Sequence, residues 1–126
     1  MSCDSLQARD IFNEFADSSY HDKMHDVAPT EECTSALKKM AQHWKLVIVT
    51  AREHRFTDIT MAYLNKHLPK IFSEVRLCNT YGSSGMKATK KDMCDAERCQ
   101  MLIDDSIENI ASLDNSATLG VIFGDY

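Results

Sequence analysis

Two kinds of hydrophobic pattern alternate along this chain. Short runs rich in apolar and β-branched residues are typical of strands buried in a sheet, and these runs are Leu46–Thr50, Glu74–Cys78, Gln100–Asp104 and Thr118–Phe123. Between them, apolar residues recur three and four positions apart, which is typical of amphipathic helices. Parallel neighbours need a crossover connection, and each interval holds a helix of suitable length. The alternation therefore predicts an α/β domain with a mostly parallel sheet.

Polar capping residues mark where the predicted helices begin. Thr30, Thr89 and Ser106 each precede a helical pattern, and their side chains are suited to accept a backbone N–H there. The helix after Thr30 has the strongest apolar face, formed by Cys33, Ala36, Leu37, Met40, Ala41 and Trp44. A second helical pattern starts at Phe56 and is ended by Pro69. A further amphipathic helix is predicted over Ser5–Ala16, and Asp17–Ala28 has no clear period.

Composition narrows the class of protein. A length of 126 residues, 44% of them hydrophobic and 26% charged, predicts a single globular domain, 1–126. A net charge of −5 argues against nucleic acid as a partner. No apolar run approaches the roughly 20 residues that cross a bilayer, and the polar start Met1–Ser5 is unlike a secretory signal. Five cysteines, an odd number, predict no disulfide framework and a cytoplasmic location.

Oxygen-bearing side chains stand at the ends of two predicted strands. In open parallel sheets ligands bind beyond the carboxyl ends of the strands, and the first strand ends in Thr50-Ala51-Arg52 while the third ends in Asp104-Asp105. Adjacent carboxylates at the end of an apolar strand suit a hard cation such as Mg²⁺. The alternative is that one aspartate only caps the next helix; the pair favours the metal site.

Three lysines lie between the second and third strands. Lys87, Lys90 and Lys91 follow a glycine-containing loop and stand at or near a helix start, where positive charge is unfavourable unless an anion is close. Taken alone, they are better explained as a solvated basic patch. Combined with the Thr50 hydroxyl and the acidic pair, they indicate phosphate and Mg²⁺ chemistry.

These segments, in this order, resemble the haloacid dehalogenase (HAD) superfamily. Leu46–Thr50, a lysine near Lys91, and Leu102–Asp105 are similar to its motifs II, III and IV. A more specific set resembles a small eukaryotic group of uncharacterised HAD-like proteins, related in pattern to the 5′(3′)-deoxyribonucleotidases; it comprises Asn79-x-Tyr81, Lys91–Cys94, Leu102–Ser106 and Phe123–Tyr126. The resemblance covers residues 29–126 well and residues 5–28 weakly.

The resemblance implies a fold and a set of roles. The fold would be a three-layer, Rossmann-like domain, with residues 29–126 as its α/β core and residues 1–28 as the remnant of a helical cap. Thr50, with Ala51 and Arg52, would contact the phosphoryl group. Lys91 would be the catalytic lysine, with Lys90 and Lys87 as fallback assignments. Asp104 and Asp105 would bind Mg²⁺, and the partner would be a small phosphorylated ligand.

One family feature is missing from the sequence. HAD phosphohydrolases begin with an apolar strand ending in D-x-D, whose first aspartate is the nucleophile, and this chain contains no D-x-D. Covalent catalysis requires that nucleophile, so the expectation is a catalytically incomplete domain, truncated or non-enzymatic. The alternatives are an active Mg²⁺-dependent phosphatase with an unrecognised nucleophile, and an interaction module on the same scaffold.

The missing strand also has a structural consequence. In the family it is the central strand, between those that end here at Thr50 and Asp104. Without it two apolar strand edges face a gap, and unpaired strand edges favour self-association. We therefore expect the two strands either to pair directly or to be bridged by a second chain.

Overall fold

Short parallel strands and helices alternate over residues 25–124, which are the residues that a computed structural model describes. The order is α1 Glu31–Ala41, β1 Val47–Thr50, α2 Thr57–His67, β2 Glu74–Leu77, α3 Lys90–Glu97, β3 Met101–Asp104, α4 Ile107–Ala111 and β4 Leu119–Ile122, with a 3₁₀ turn at His54–Phe56. The predicted α/β class is confirmed at this level. The helix predicted over Ser5–Ala16 lies outside the described residues, as does nearly all of the segment assigned to a cap.

The predicted capping residues begin their helices as expected. The Thr30 hydroxyl accepts the N–H of Cys33 at 3.2 Å and caps α1. At α3 the Thr89 hydroxyl accepts the N–H of Asp92 at 3.1 Å, while the Asp92 carboxylate accepts the N–H of Thr89 at 2.9 Å. This reciprocal pair satisfies two backbone donors that a helix start leaves unpaired. Ser106 caps α4 in the simpler way.

The four strands form two separate parallel pairs. Strands β1 and β2 pair from Val47–Glu74 to Thr50–Leu77, and β3 and β4 pair from Met101–Leu119 to Asp104–Ile122. No hydrogen-bonded ladder joins β1 to β3 within residues 25–124. Of the two alternatives, direct pairing of these strands is therefore wrong for the described residues, and bridging by a second chain stays a prediction. The expected single sheet is replaced by two ladders with a cleft between them.

The β1–β2 pair is held by the larger of two hydrophobic clusters. Leu64 and Leu68 at the end of α2 are buried together with Ile71, and Ile48 and Val75 of the strands pack against them. These strand residues lie opposite each other in the ladder and so present one apolar surface to α2. Burial of this surface is the main source of stability in this half.

The β3–β4 pair is covered on one face by a smaller cluster, which consists of Cys94, Leu102 and Leu113. Here β4 approaches α4 so closely that a Cβ atom on Gly120 would lie 2.6 Å from Cγ2 of Ile110. On the opposite face Met101 and Ile103 are each 45% exposed and Leu119 is 60% exposed. One face of this pair is therefore bare among the described residues.

Two expectations about burial are wrong for a common reason. The composition of β1 is typical of a strand buried in a sheet, but all four of its residues are only half-buried. Helix α1 buries none of its residues fully, and Trp44, which was expected on its apolar face, is 55% exposed. Both elements border the cleft, where no described residue packs against them.

Candidate strand-end site and the adjoining cleft

The start of α3 lies at the carboxyl ends of strands from both pairs. Lys90, its first residue, donates from Nζ to Oδ2 of Asp104 at 2.5 Å, at the end of β3. Just before the helix, the N–H of Ala88 donates to the carbonyl of Cys78 at 2.9 Å, directly after β2. The two strand pairs therefore direct their carboxyl ends to a shared edge, as expected for a ligand site in a parallel α/β fold.

Asp104 is held at this edge by three donors. Its side chain is 4% exposed, and its Oδ1 accepts the N–H of Ser106 at 2.9 Å and Nδ2 of Asn109 at 3.1 Å. Burial alone would raise the pKa of this carboxyl, but the hydrogen bonds from Lys90, Ser106 and Asn109 outweigh burial and lower the pKa. Asp104 is therefore an ionised carboxylate in a largely buried ion pair.

Lys91 has a different environment from Lys90. Its Nζ donates to Oδ2 of Asp95 at 2.5 Å, one turn further along α3, and this hydrogen bond raises the pKa of Lys91. Successive residues on a helix point about 100° apart, so adjacent lysines do not face the same strand end. The structure brings Lys90, the fallback assignment, to Asp104 in place of Lys91, and Lys87 is exposed in the preceding loop.

Thr50, Ala51 and Arg52 lie at the end of β1 as predicted. The Thr50 hydroxyl accepts the N–H of Arg52 at 3.4 Å, and the carbonyl of Ala51 accepts the N–H of Thr80 at 3.2 Å. The Arg52 guanidinium donates to the Thr60 hydroxyl on α2 at 3.0 Å. Of the three, Thr50 offers a hydroxyl at the shared edge, and Arg52 is tied to α2.

The acidic pair provides the right kind of ligand for Mg²⁺ but only part of a site. Asp105 is exposed, unlike Asp104, and residues 25–124 contain no group of three or more His, Cys, Asp or Glu side chains arranged to hold a metal. A carboxylate has about four acceptor positions, and Asp104 already accepts three hydrogen bonds. Water and a ligand's own oxygens would have to complete the shell, as is usual for Mg²⁺.

Sequence reasoning missed the structural role of Asn79. This residue is 2% exposed and has a left-handed backbone, with φ of 57°. Its side chain accepts the N–H of His54 at 3.2 Å and donates to the carbonyls of Ser84 at 2.9 Å and Met86 at 3.2 Å. It thereby closes the glycine loop that leads to Lys90. The available signal was an asparagine at a strand end before a glycine loop, because asparagine tolerates left-handed backbone and bonds nearby peptide groups.

A cleft of about 600 Å³ lies between the two strand pairs. One wall is formed by residues 46–49, most of which belong to β1, and the other by residues 100–103, most of which belong to β3. Leu37, Met40 and Trp44 line the cleft from the side of α1. The apolar face of α1 that the sequence predicts is therefore turned, in part, toward this space. The cleft is the second feature of the molecule that can accept a ligand.

Comparison with known proteins adds no assignment. No family model, curated protein or solved structure matches the chain. Among the described helices, none has the length and apolar character needed to span a membrane.

Proposed function

We propose that this chain is a HAD-like domain of Rossmann-like topology that binds a small phosphorylated molecule at the shared strand-end edge, together with Mg²⁺, without hydrolysing it. The observation that carries the proposal is the Lys90–Asp104 ion pair at the start of α3, with its carboxylate almost completely shielded from solvent. Desolvating two charges is expensive, and such a pair often stabilises a fold no better than apolar residues would. Its position at a strand-end edge favours a role in ligand binding.

Lys90 is placed to neutralise a phosphate. It is the first residue of α3, where the backbone N–H groups also attract negative charge. The Lys90 ammonium has three N–H donors. One donates to Asp104, which keeps the side chain oriented, and the others can donate to an anion at this edge. The Thr50 hydroxyl at the end of β1 is suited to donate to another phosphate oxygen.

Asp104 and Asp105 are the residues that would hold Mg²⁺. When bound, the ion supplies charge neutralisation for phosphate oxygens. The protein contributes one shielded carboxylate, already ionised, and one exposed carboxylate beside it. Because Lys90 already neutralises Asp104, we expect the metal to bind more strongly with the phosphorylated ligand than without it.

Binding without turnover follows from the residues at the edge. The chain contains no D-x-D sequence, and Asp104 directs both oxygens to donors within the fold. A nucleophile needs a lone pair aimed at phosphorus and an activating neighbour, and Lys90 and its partners do not provide that arrangement.

The test is thermal unfolding with inorganic phosphate, with Mg²⁺, and with both. A ligand at about 100 times its dissociation constant stabilises the folded state by about 2.7 kcal/mol, so the Tm should rise most when both are present. The same protein is assayed for phosphate release from a generic phosphate monoester with Mg²⁺. Turnover that disappears in Asp105→Asn would replace this proposal with the active phosphatase.

One variant tests the site and a second serves as its matched control. The double variant Lys90→Met with Asp104→Asn removes both members of the ion pair, avoids an isolated charge and should abolish the phosphate response. Lys91→Met removes an adjacent charge that faces Asp95 and should leave the response unchanged. Equal loss in both variants would mean that phosphate binds a diffuse basic surface, and a Tm that ignores phosphate and Mg²⁺ in the wild type would reject the proposal.

The open cleft favours a second candidate function, that of a protein-interaction module on the same scaffold. The cleft borders the two strands that form no ladder with each other. Exposed strand edges are templates for another polypeptide. The two functions use different parts of the molecule, and either can be lost without the other.

A further inference from the structure

We infer that the cleft between β1 and β3 is a docking site for one extended, apolar segment of another polypeptide, which inserts as a strand parallel to both. The inference deepens the second candidate function by specifying the partner's chemistry. It does not depend on phosphate or Mg²⁺, so it can fail while the strand-end proposal stands, and the reverse also holds.

The direction of backbone groups supports the inference. The carbonyls of Leu46, just before β1, and of Thr50, at its end, point toward the β2 side. They accept the N–H groups of Ser73 at 2.9 Å and Cys78 at 2.7 Å, respectively. In a parallel ladder alternate residues direct their N–H and C=O to opposite sides. Val47 and Val49 therefore direct theirs away from β2, toward the cleft that they line.

The other wall of the cleft repeats this arrangement. Gln100 and Asp104 accept the N–H groups of Leu119 and Phe123 on the β4 side, each at 2.9 Å. By the same alternation Met101 and Ile103 direct their N–H and C=O toward the cleft, and both residues line it. Backbone donors and acceptors therefore face the cleft from both sides, and no strand within residues 25–124 pairs with them there. Buried backbone groups without a partner are costly, so a strand that pairs with them is favoured.

The two walls run in the same direction. Strand β1 is parallel to β2, β3 is parallel to β4, and α3 begins beside the carboxyl ends of both β2 and β3. A single strand inserted between them would pair in parallel on both sides. A parallel strand needs no hairpin to its neighbours, so a separate polypeptide can supply it.

The lining of the cleft is mostly apolar and favours an apolar occupant, although Lys45, Glu97, Arg98 and Gln100 also belong to it. Leu37 and Met40 of α1 line one side, and Cys94 and Leu102 belong to the lining as well. A strand covered on both faces is usually a continuous run of β-branched and other apolar residues. We therefore expect a run of Val and Ile of about the usual strand length, five to six residues.

We assign the occupant to a separate polypeptide, because residues 1–126 hold no further strand-like run. The four strand-like runs predicted from the sequence are all used as β1–β4, and residues 1–24 contain no more than two consecutive apolar residues. Within residues 1–126 of a second copy the same four runs are already used as strands. Self-association through the strand edges is thus the less favoured outcome.

The experiment uses the full chain and a synthetic peptide of alternating Val and Ile, about six residues long, with lysines at its N-terminus for solubility. Trp44 is the only tryptophan and lines the cleft, so its fluorescence reports binding. Hydrogen exchange measured by NMR locates it: the amides of Val47, Val49, Met101 and Ile103 should become protected. A peptide of the same sequence that is N-methylated at alternate residues should bind about a hundredfold more weakly, because it has lost about three hydrogen bonds.

Proline variants on β1, which borders the cleft, and on β4, which does not, separate strand pairing from simple hydrophobic contact. Val49→Pro removes one N–H from the cleft and should weaken peptide binding about tenfold, which corresponds to roughly one hydrogen bond. Ile122→Pro is the matched control. Leu119 and Phe123 donate their N–H groups to β3, so by alternation Ile122 directs its N–H to the other side, away from β3 and the cleft. Circular dichroism checks that both variants fold.

Several results would overturn the inference. Equal binding of the N-methylated peptide would show an apolar pocket without strand pairing. Amides of Val47, Val49, Met101 and Ile103 that are already protected in the protein alone would show that the chain fills its own cleft if the protein sediments as a monomer, or that a second copy fills it if the protein is a dimer. If the peptide binds but these amides still exchange freely, the peptide binds outside the cleft.

Discussion

The two strand pairs are built alike but are covered differently. Both consist of parallel four-residue strands joined through a helix. The β1–β2 pair rests on the buried cluster of Leu64 in α2 and Leu68 and Ile71 just after it. The β3–β4 pair has a smaller cluster on one face and exposed Met101, Ile103 and Leu119 on the other. The same local pattern therefore yields one well-packed half and one half that depends more on polar interactions.

The polar interactions of the second half are concentrated at Asp104. The carboxylate joins α3, through Lys90, to α4, through Asn109 and Ser106. In the first half, the corresponding position at the strand end is Thr50, whose hydroxyl makes one long local hydrogen bond. The half with less apolar burial has the stronger electrostatic attachment, and the variants below test how far each half relies on these two kinds of interaction.

The largest effect is expected from Lys90→Met. Removing one partner of a buried ion pair leaves an uncompensated charge and typically destabilises a protein by about 3–5 kcal/mol. Urea unfolding measures the change, with Lys91→Met as the control that should leave the midpoint unchanged. A Lys90→Met variant as stable as the wild type would show that solvent reaches Asp104 and that the second half does not rely on this pair.

The next largest effects are expected from leucine-to-alanine variants in the two hydrophobic clusters. Leu64→Ala should lower the free energy of unfolding by about 3–4 kcal/mol, and Leu113→Ala by about 2 kcal/mol, since the cost of a large-to-small change grows with the cavity it leaves. Both side chains are buried, at 8% and 5% exposure. Denaturant unfolding of both variants measures the two losses in free energy of unfolding. A larger loss for Leu113→Ala would show that the β3–β4 half depends more on apolar burial than the β1–β2 half.

A third prediction concerns pH. The folded-state pKa of Asp104 is lowered below that of an unfolded carboxyl, which is about 3.9. Its contribution to stability is therefore fully present above about pH 4 and is lost as pH falls through the lower folded pKa. Wild type and Asp104→Asn are compared by unfolding at a series of acid pH values. The stability difference between them should shrink on acidification, and a difference independent of pH would contradict the ionised assignment.

The smallest effect on stability is expected on the bare face. Ile103→Lys places a charge on a side chain that is already 45% exposed, so stability should change by no more than about 0.5 kcal/mol. Any self-association through this face should weaken, as measured by sedimentation. Ile107→Lys, on exposed α4, is the matched control and should not alter the sedimentation. A large loss of stability in Ile103→Lys would show that this face is covered in solution.

The sequence was informative wherever neighbours along the chain decide the outcome. The capping roles of Thr30, Thr89 and Ser106 were predicted because a cap acts on backbone groups only two or three residues away. The parallel α/β class was predicted for a similar reason, since hydrophobic period and helix length are local properties. Candidate site residues at the strand ends followed from one general rule about parallel sheets.

What required the tertiary structure was the choice among local equivalents. Lys90 and Lys91 are adjacent and chemically identical, and only the rotation of α3 about its axis directs one to Asp104 and the other to Asp95. Likewise β1 and β3 each have the composition of a central strand. Whether two strands pair depends on contacts between residues far apart in the chain, and no local pattern specifies the space that separates these two.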